Sequence, residues 1–491
     1  MNKPLRRVAI FCGLLVLALL VRVNWVQFVQ ADELANHEDN RRVKIDRYAQ
    51  PRGNILTSDG KSITGSKETG GTDFKYKRTF KDGKLWAPVT GYASQAFGAS
   101  QLEKLYDGIL TGDDDRLFFN RTIDMLTGKP QKGGNVVTTL NSKAQKAAFE
   151  GLGDKKGAVA AIDPQTGAVL ALATTPSYDP SSFAGSSDED AEAWAALQKK
   201  ENPDEPMLNR ALRQTYPPGS TYKLVTAAAA LESGDYSLDG KTDSPDPYQL
   251  PQTTGDPLGN DGNHPGCKDG SIRVALQWSC NTVFAKISDD LGNEKMQEMS
   301  QKFGYGEDKL DIPVRAAESV YPEDNRPQNA MAGIGQASNR ATPLQVAMFA
   351  SAIANDGKLM KPYMVDKLVA PNLNVVEQTN PEEMGQPVSP ENAQKLQEAM
   401  ETVVEKGTGK TAQIPNVKVG GKTGTAQHGE NNSKNPYAWF VSYAKGEDGS
   451  SPVAVAVVIE SSSTARDEIA GSKLAAPVAK GVMEAILEEK K

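Results

Sequence analysis

The sequence predicts an α+β fold, an antiparallel sheet flanked by helices, and three observations carry that prediction. Two apolar runs at 157–162 and 168–173 flank Asp163-Pro-Gln-Thr-Gly167, whose residues favour a tight turn, so they read as a β-hairpin. A second hairpin is formed by Trp439-Phe-Val-Ser-Tyr443 and Val453-Ala-Val-Ala-Val-Val-Ile459, with a Gly/Asp/Ser loop between them. Helix-forming stretches lie between the hairpins, at 220–231 and 343–353, and another closes the chain at 475–487. Strands at both ends with helices between them describe one sheet covered by helices.

The elements follow in order from the N-terminus. Lys3, Arg6 and Arg7 precede an uninterrupted apolar run at 8–21, which is short for a membrane span and typical of a signal-peptide core. If Arg22 snorkels and Trp25 sits at the interface, the segment extends to about twenty residues. It reads as an uncleaved signal anchor with its N-terminus in the cytoplasm and everything from about residue 30 outside. The alternative is a signal peptide cleaved after Ala31. A buried helix fits poorly, because no polar face interrupts residues 8–21.

Residues 30–47 are polar and basic and read as a stalk leading to a strand. The stretch at 136–149 reads as a strand capped into a helix, where the main domain begins. The expected division is therefore 1–29 for the tail and anchor helix, 30–140 for a small N-terminal domain, and 141–491 for the main domain. A chain of 491 residues is too long for one ordinary domain. Apolar content of 38% and a mean hydropathy of -0.49 suit a soluble globular body behind the anchor. A net charge of -7 and no sustained basic stripe argue against nucleic acid as a partner.

Cysteine usage fits export. Cys12 lies in the anchor, leaving Cys267 and Cys280 as an even pair in an oxidising compartment. A disulfide between them is expected; two separate buried thiols are the alternative, and the Cα separation decides.

Three short motifs carry the chemistry: Ser220-Thr-Tyr-Lys223, Ser279-Cys-Asn281 and Lys422-Thr-Gly424, in that order. A serine hydroxyl is a poor nucleophile and needs a neighbouring base. At a helix start, Ser220 and Lys223 share one face within a turn. A neutral Lys223 can take the serine proton, provided that burial or a nearby cation depresses its pKa from about 10.4. Ser279 and Asn281 lie two apart on a turn, so both can face a cleft; Ser279 would relay a proton to the leaving amine, and Asn281 would hold the Lys223 ammonium or a substrate amide. The three histidines, His37, His264 and His428, have no partner motif for a Ser-His-Asp triad.

Single motifs are weak, and stray copies show it: Ser58-Asp-Gly-Lys61 matches the first and Ser433-Lys-Asn435 the second. Order and context separate them. Ser220 follows Tyr216-Pro-Pro-Gly219 and precedes a strong helix former, whereas Ser58 sits in a polar turn and Ser433 follows the third motif. Gly409-Lys-Thr411 and Gly421-Lys-Thr423 lack the first glycine of a phosphate loop. His264, Cys267 and Asp269 lack metal-ligand spacing and read as a solvated loop, so no metal or cofactor is expected.

The ordered triple resembles the signature of penicillin-binding proteins and serine β-lactamases. From about 137 to 485 the chain is similar to the transpeptidase domain of class B penicillin-binding proteins, through Asp163-Pro-Gln-Thr-Gly167, Pro176-Ser-Tyr-Asp-Pro180, Asn209-Arg-Ala211, Gly335-Gln336, Thr342-Pro-Leu-Gln345, Ala354-Asn-Asp-Gly357 and Gly407-Thr-Gly409. Tyr48-Ala-Gln-Pro-Arg-Gly-Asn-Ile-Leu-Thr-Ser-Asp-Gly60 resembles the start of that family's pedestal, with a looser ending. The resemblance implies a penicillin-binding fold with a helical subdomain, a membrane anchor and a small β-rich pedestal. It implies Ser220 as nucleophile, Lys422 as a cation across the cleft, and the backbone N–H groups of Ser220 and Thr425 as oxyanion donors. Thr423, Gly424 and Thr425 would line the substrate, and Gly420, Gly421 and Gly424 would let its backbone lie flat on the strand.

The implied activity is cross-linking of peptidoglycan stem peptides by a serine D,D-transpeptidase, linked to division or growth. The partners would be those peptides, β-lactam antibiotics, the cytoplasmic membrane, a separate glycosyltransferase, and division or elongation proteins. A hydrolytic D,D-carboxypeptidase and a non-catalytic division scaffold are the alternatives. A class A β-lactamase fits less well, because Glu318 and Glu323 carry Pro322 and Pro327 where its deacylation motif has Asn.

Overall fold

Helix α1 (Lys3–Phe28) runs through Arg22 without a break and buries none of its residues. Among the described residues it is the one helix long and apolar enough to cross a membrane, with a mean hydropathy of 2.2. Its 26 residues rise about 39 Å at ~1.5 Å each, enough for a hydrocarbon core of ~30 Å. The computed structural model describes residues 3–35, 40–71, 73–128, 132–199, 202–262 and 264–489. Part of the stalk, residues 36–39, lies outside them. The rest of the stalk is helical at Ala31–Ala35 and Arg41–Arg47, and then reaches β1 (Ile55–Leu56).

The N-terminal domain pairs β2 (Thr64–Glu68) with β3 (Tyr76–Phe80) as an antiparallel hairpin. Where the resemblance implied a β-rich pedestal, short helices at Gly83–Thr90, Gln101–Leu105, Asp107–Thr111 and Phe118–Thr127 stand beside the strands. A lone hairpin is marginal in water, and these helices bring the buried Trp86, Leu102, Ile109 and Leu110 that complete a core. At its centre Glu103 takes Arg78 Nε at 2.6 Å and Arg52 Nη2 at 3.1 Å, all three side chains being buried. Losing that carboxylate would leave buried Arg78 without its carboxylate partner and Arg52 with Asp107 alone.

The chain then enters β4 (Asn135–Thr138) and α2 (Ser142–Leu152), the latter capped by Asn141 Oδ1, which accepts from the N–H groups of Lys143 and Ala144. The first expected hairpin is β5 (Lys156–Ile162) with β6 (Val169–Thr175). Helices α3 (Lys223–Ser233), α4 (Ile272–Trp278), α5 (Asn281–Lys302), α6 (Arg326–Ala332) and α7 (Pro343–Ala354) follow. Strands β7 (Val365–Val369) and β8 (Val375–Gln378) precede α8 (Pro390–Lys406), and the chain ends with β9 (Val419–Ala426), β10 (Tyr437–Ala444), β11 (Val453–Ser461) and α9 (Ala476–Glu489).

The main sheet runs β9-β10-β11-β5-β6, antiparallel throughout, so the two hairpins join where β11 pairs with β5. Alternation along the strands feeds two cores. Val455 and Val457 pack with Ala144, Ala148 and Val482 of α2 and α9. Ala456 and Val458 face the core of Val346 and Phe349 on α7. Each fully buried Val or Phe contributes about 1.5–3 kcal/mol, which is why the strands read as unbroken apolar runs. A second sheet runs β1-β4-β7-β8 and joins the N-terminal domain to a hairpin from the far side of α7.

Candidate active site

Ser220 stands on a 3₁₀ turn, Gly219–Thr221, and α3 begins at Lys223. The expected helix at 220–231 thus starts later, because two prolines and Gly219 at φ +54° bring the chain in through a tighter turn. The turn is fixed from three sides. Trp439 Nε1 donates to Pro217 O at 3.0 Å, Tyr216 N to Ala341 O at 2.9 Å, and Gly219 N to Gly335 O at 2.9 Å. Ser220 is half-buried, and its hydroxyl makes no hydrogen bond among the described residues.

Lys223 points away from solvent into a polar nest. Its Nζ donates to Ser279 O at 2.7 Å, Asn281 Oδ1 at 2.7 Å and Ser279 Oγ at 3.3 Å. Lys422, on β9, donates to the same Ser279 Oγ at 2.8 Å and to Thr423 O at 2.9 Å. One hydroxyl therefore bridges two lysines, and both lysines are fully buried. Burial drives the Lys223 pKa well below its ordinary value, the Lys422 charge lowers it further, and only Asp261 opposes. Burial also pushes Lys422 down to about 7, again opposed by Asp261. The site thus favours losing a proton from this pair near neutrality, which a lysine base requires.

Ser279 ends α4 in the left-handed conformation, at φ +61° and ψ +37°. A non-glycine residue there costs about 1–2 kcal/mol, so surrounding structure must hold it. Cys280 does so, donating N–H to Ala275 O at 2.9 Å and forming the disulfide with Cys267, with Cα atoms 5.6 Å apart. The expected disulfide is present. Asn281 then starts α5, whose first N–H groups, those of Asn281 and Thr282, donate to Asn260 Oδ1 at 2.6 and 3.0 Å.

Nothing in the sequence singles out Asn260 and Asp261. Their run, Gly259-Asn-Asp-Gly262, carries ordinary turn chemistry, and nothing local separates a helix cap from a solvated loop. His264 of the same loop stacks on Trp278 with ring centroids 4.4 Å apart, and Cys267 is consumed by the disulfide.

Strand β9 is the edge of the main sheet, leaving one side of Lys422-Thr-Gly424 unpaired by strands. Thr423 Oγ1 meets Thr408 Oγ1 at 2.7 Å, and Thr425 is half-buried beside the turn that carries Ser220. Gly420 and Gly421 have an internal reason as well: a Cβ there would strike the Tyr443 ring at 2.3 Å or Phe440 Cζ at 2.7 Å. The stray motifs are elsewhere. Ser58 Oγ donates to Leu140 O at 2.9 Å, Lys61 is exposed and paired with Asp59, and Ser433 lies in a loop whose carbonyls bond Arg466.

The profile of the penicillin binding protein transpeptidase domain matches residues 157–484, and that of the penicillin binding protein A dimerisation domain matches residues 52–136. The chain belongs to the penicillin-binding protein transpeptidase family. It is 38% identical over 500 residues to the peptidoglycan D,D-transpeptidase PbpA of Mycolicibacterium smegmatis, covering 100% of both chains. The PbpA of Mycobacterium tuberculosis is also 38% identical, over 499 residues and 99% of both chains. The solved structure of penicillin-binding protein A from M. tuberculosis as a ceftriaxone acyl-enzyme complex superposes with a TM-score of 0.83 at 37% identity, over 90% of this chain and all of that one. A transpeptidase domain from Eggerthella lenta gives a TM-score of 0.75 at 31% identity, covering 90% of this chain and 99% of that one.

In this penicillin-binding protein the disulfide closes a sequence separation of 13 residues, which stabilises by roughly 3 kcal/mol in the chain-entropy model. The local consequence is larger, since Cys280 sits between two residues that hold Lys223. Mild reductant is expected to slow penicillin acylation while the far-UV dichroism stays nearly unchanged. Acylation that stays at the oxidised rate after alkylation of both thiols is confirmed by mass spectrometry would remove this role from the disulfide.

Proposed function

We propose that this penicillin-binding protein is a serine D,D-transpeptidase that cross-links peptidoglycan stem peptides and is acylated by β-lactams. The observation that carries the reading is the Lys223–Ser279–Lys422 bridge, buried beside the turn that presents Ser220. Neutral Lys223 takes the Ser220 proton as Oγ attacks the penultimate D-Ala carbonyl. The N–H groups of Ser220 and Thr425 receive the oxyanion; removing such a donor typically costs about 10²–10³ in rate. As the C–N bond breaks, Ser279 Oγ passes its proton to the leaving D-Ala amine and is reprotonated from the lysine pair. An acceptor amine then attacks the acyl-Ser220 ester, giving up its proton by the reverse route and releasing the cross-linked product. Lys422 and Thr423 hold the donor carboxylate, and substrate backbone adds along β9 at Gly424 and Thr425.

On this reading the chain divides at residues 29 and 140, its anchor lies in the cytoplasmic membrane, and the N-terminus is inside with the catalytic domain outside. Glycan polymerisation falls to a separate glycosyltransferase partner, within machinery for division or elongation. The activity is tested by incubating the full chain in detergent with a D-Ala-D-Ala-terminated peptide and a D-amino acid acceptor. Mass spectrometry should find the exchanged peptide. Hydrolysed peptide alone, at every acceptor concentration, would replace transfer with carboxypeptidase activity.

The lysine pair also sets a pH dependence. The base works only when Lys223 is neutral, so acylation is lost as pH falls through its depressed pKa and holds above it. Removing the Lys422 charge removes one cause of that depression and raises the Lys223 pKa. Lys422→Met, which keeps the site filled, should therefore move the acid limb of the acylation profile to higher pH, besides slowing the reaction. An acid limb that stays put or moves down would break the proposed coupling.

A further inference from the structure

The turn after α6, Gly335-Gln336, touches both walls of the proposed oxyanion hole. On one side Gly335 O accepts from Gly219 N–H at 2.9 Å, one residue before Ser220. The approach is close enough to require glycine: at φ +75°, a Cβ on Gly335 would lie 2.1 Å from Gly219 O. On the other side the Gln336 side-chain amide faces both backbone groups of Gln427; in the amide orientation that matches them, its N–H donates to the carbonyl at 3.1 Å and its oxygen accepts from the N–H at 3.3 Å. Gln427 follows β9 directly, two residues beyond Thr425. The turn itself is tied back to α6, with Gly335 N donating to Ala332 O at 2.9 Å and Gln336 N to Met331 O at 3.0 Å.

The two walls come from parts of the chain about 200 residues apart in sequence; Trp439 Nε1 on Pro217 O and Tyr216 packed on Tyr437 also join them, but both act through β10, whereas Gln336 holds the end of β9 itself. Gly219 packs on Ala426, where an added Cβ would meet the Ala426 Cα at 3.2 Å. That contact sets a minimum spacing but does not hold the walls together. We propose that Gln336 is a positioning residue for the acyl-transfer reaction. By clamping the end of β9 to the turn of Ser220, it sets the gap between the Ser220 and Thr425 N–H groups. The inference rests on the proposed nucleophile and oxyanion donors. It touches neither lysine, and Gln336 has no role in proton transfer.

This division of labour yields a distinct kinetic signature. Both formation and breakdown of the acyl-enzyme pass through an oxyanion, so loosening the gap slows both steps. Reversible binding before acylation, and the acid limb set by Lys223, should not change. The full chain in detergent is compared with Gln336→Ala and Gln336→Met, the second keeping the space filled while losing both polar groups. Stopped-flow acylation by a chromogenic β-lactam gives the pre-acylation affinity and the acylation rate constant; release of the bound acyl group gives deacylation. Both variants are expected to lose about 10–100-fold in acylation and deacylation alike, as for a small misplacement of reacting groups, with affinity, acid limb and melting temperature near wild type. Wild-type rates in Gln336→Met would overturn the proposal, as would loss confined to affinity, a shifted acid limb, or rates that fall only in step with melting temperature. Failure of Ser220→Ala to abolish acylation would instead discard the underlying site.

Discussion

Ser220→Ala is expected to abolish covalent labelling by a fluorescent penicillin and to leave the fold intact. The second half follows from the surroundings of the hydroxyl. It is half-buried and bonds to nothing among the described residues, so its loss strands no donor or acceptor. The turn beneath it depends on Pro217, Gly219 and Tyr216 backbone groups, which the substitution leaves alone. A stability change within about 0.5 kcal/mol is the usual result at such a position. The first half follows from the absence of a substitute: Ser58 spends its hydroxyl on Leu140 O, and its Lys61 is exposed and held by Asp59. Label persisting on the variant, or recovered on a peptide containing Ser58, ends the assignment of Ser220 as nucleophile.

Lys223→Ala carries the next largest effect, a loss of at least about 10²-fold in acylation rate, as expected when a general base is removed. The structural cost is small for a buried lysine. The side chain leaves a cavity, and Asn281 Oδ1 and Ser279 O lose a donor. Against this, the variant no longer keeps an amine out of water, and alanine favours the first turn of α3. The readout is the rate at saturating penicillin beside a thermal melt. Acylation near the wild-type rate would pass the base role to Lys422, the other lysine on Ser279 Oγ, whose pKa of about 7 suits it to the task.

What could be read from the sequence was local. The two hairpins, the helix at 343–353 and the C-terminal helix stand within a residue or two of where apolar runs and turn residues placed them. Ser220 and Lys223 are legible because their spacing is short and the Pro-Pro-Gly run before them is strong punctuation. The order of strands was not legible, since β11 pairs with β5 across nearly 300 residues and apolar strands carry no partner label. The left-handed Ser279 was hidden for a similar reason. Its conformation is imposed by a disulfide and by a cap from Asn260, both arriving from a loop that composition marks only as polar. Gly335-Gln336 is legible in the sequence as part of the family resemblance, but its contacts with Gly219 and Gln427 exist only in three dimensions.

The second sheet has a consequence for anyone who recombines these proteins. Strand β4 pairs with β1 on one side, Ile55 with Val136, and with β7 on the other, Leu368 with Val136. A chimera cut near residue 140 would take the first partner and leave the second behind, exposing an edge in each fragment. Exchange of the N-terminal domain between relatives therefore has to carry the β7–β8 hairpin as a second, separate cassette. The two cassettes would be inherited, and would have to co-vary, as one unit despite the more than 220 residues between β4 and β7.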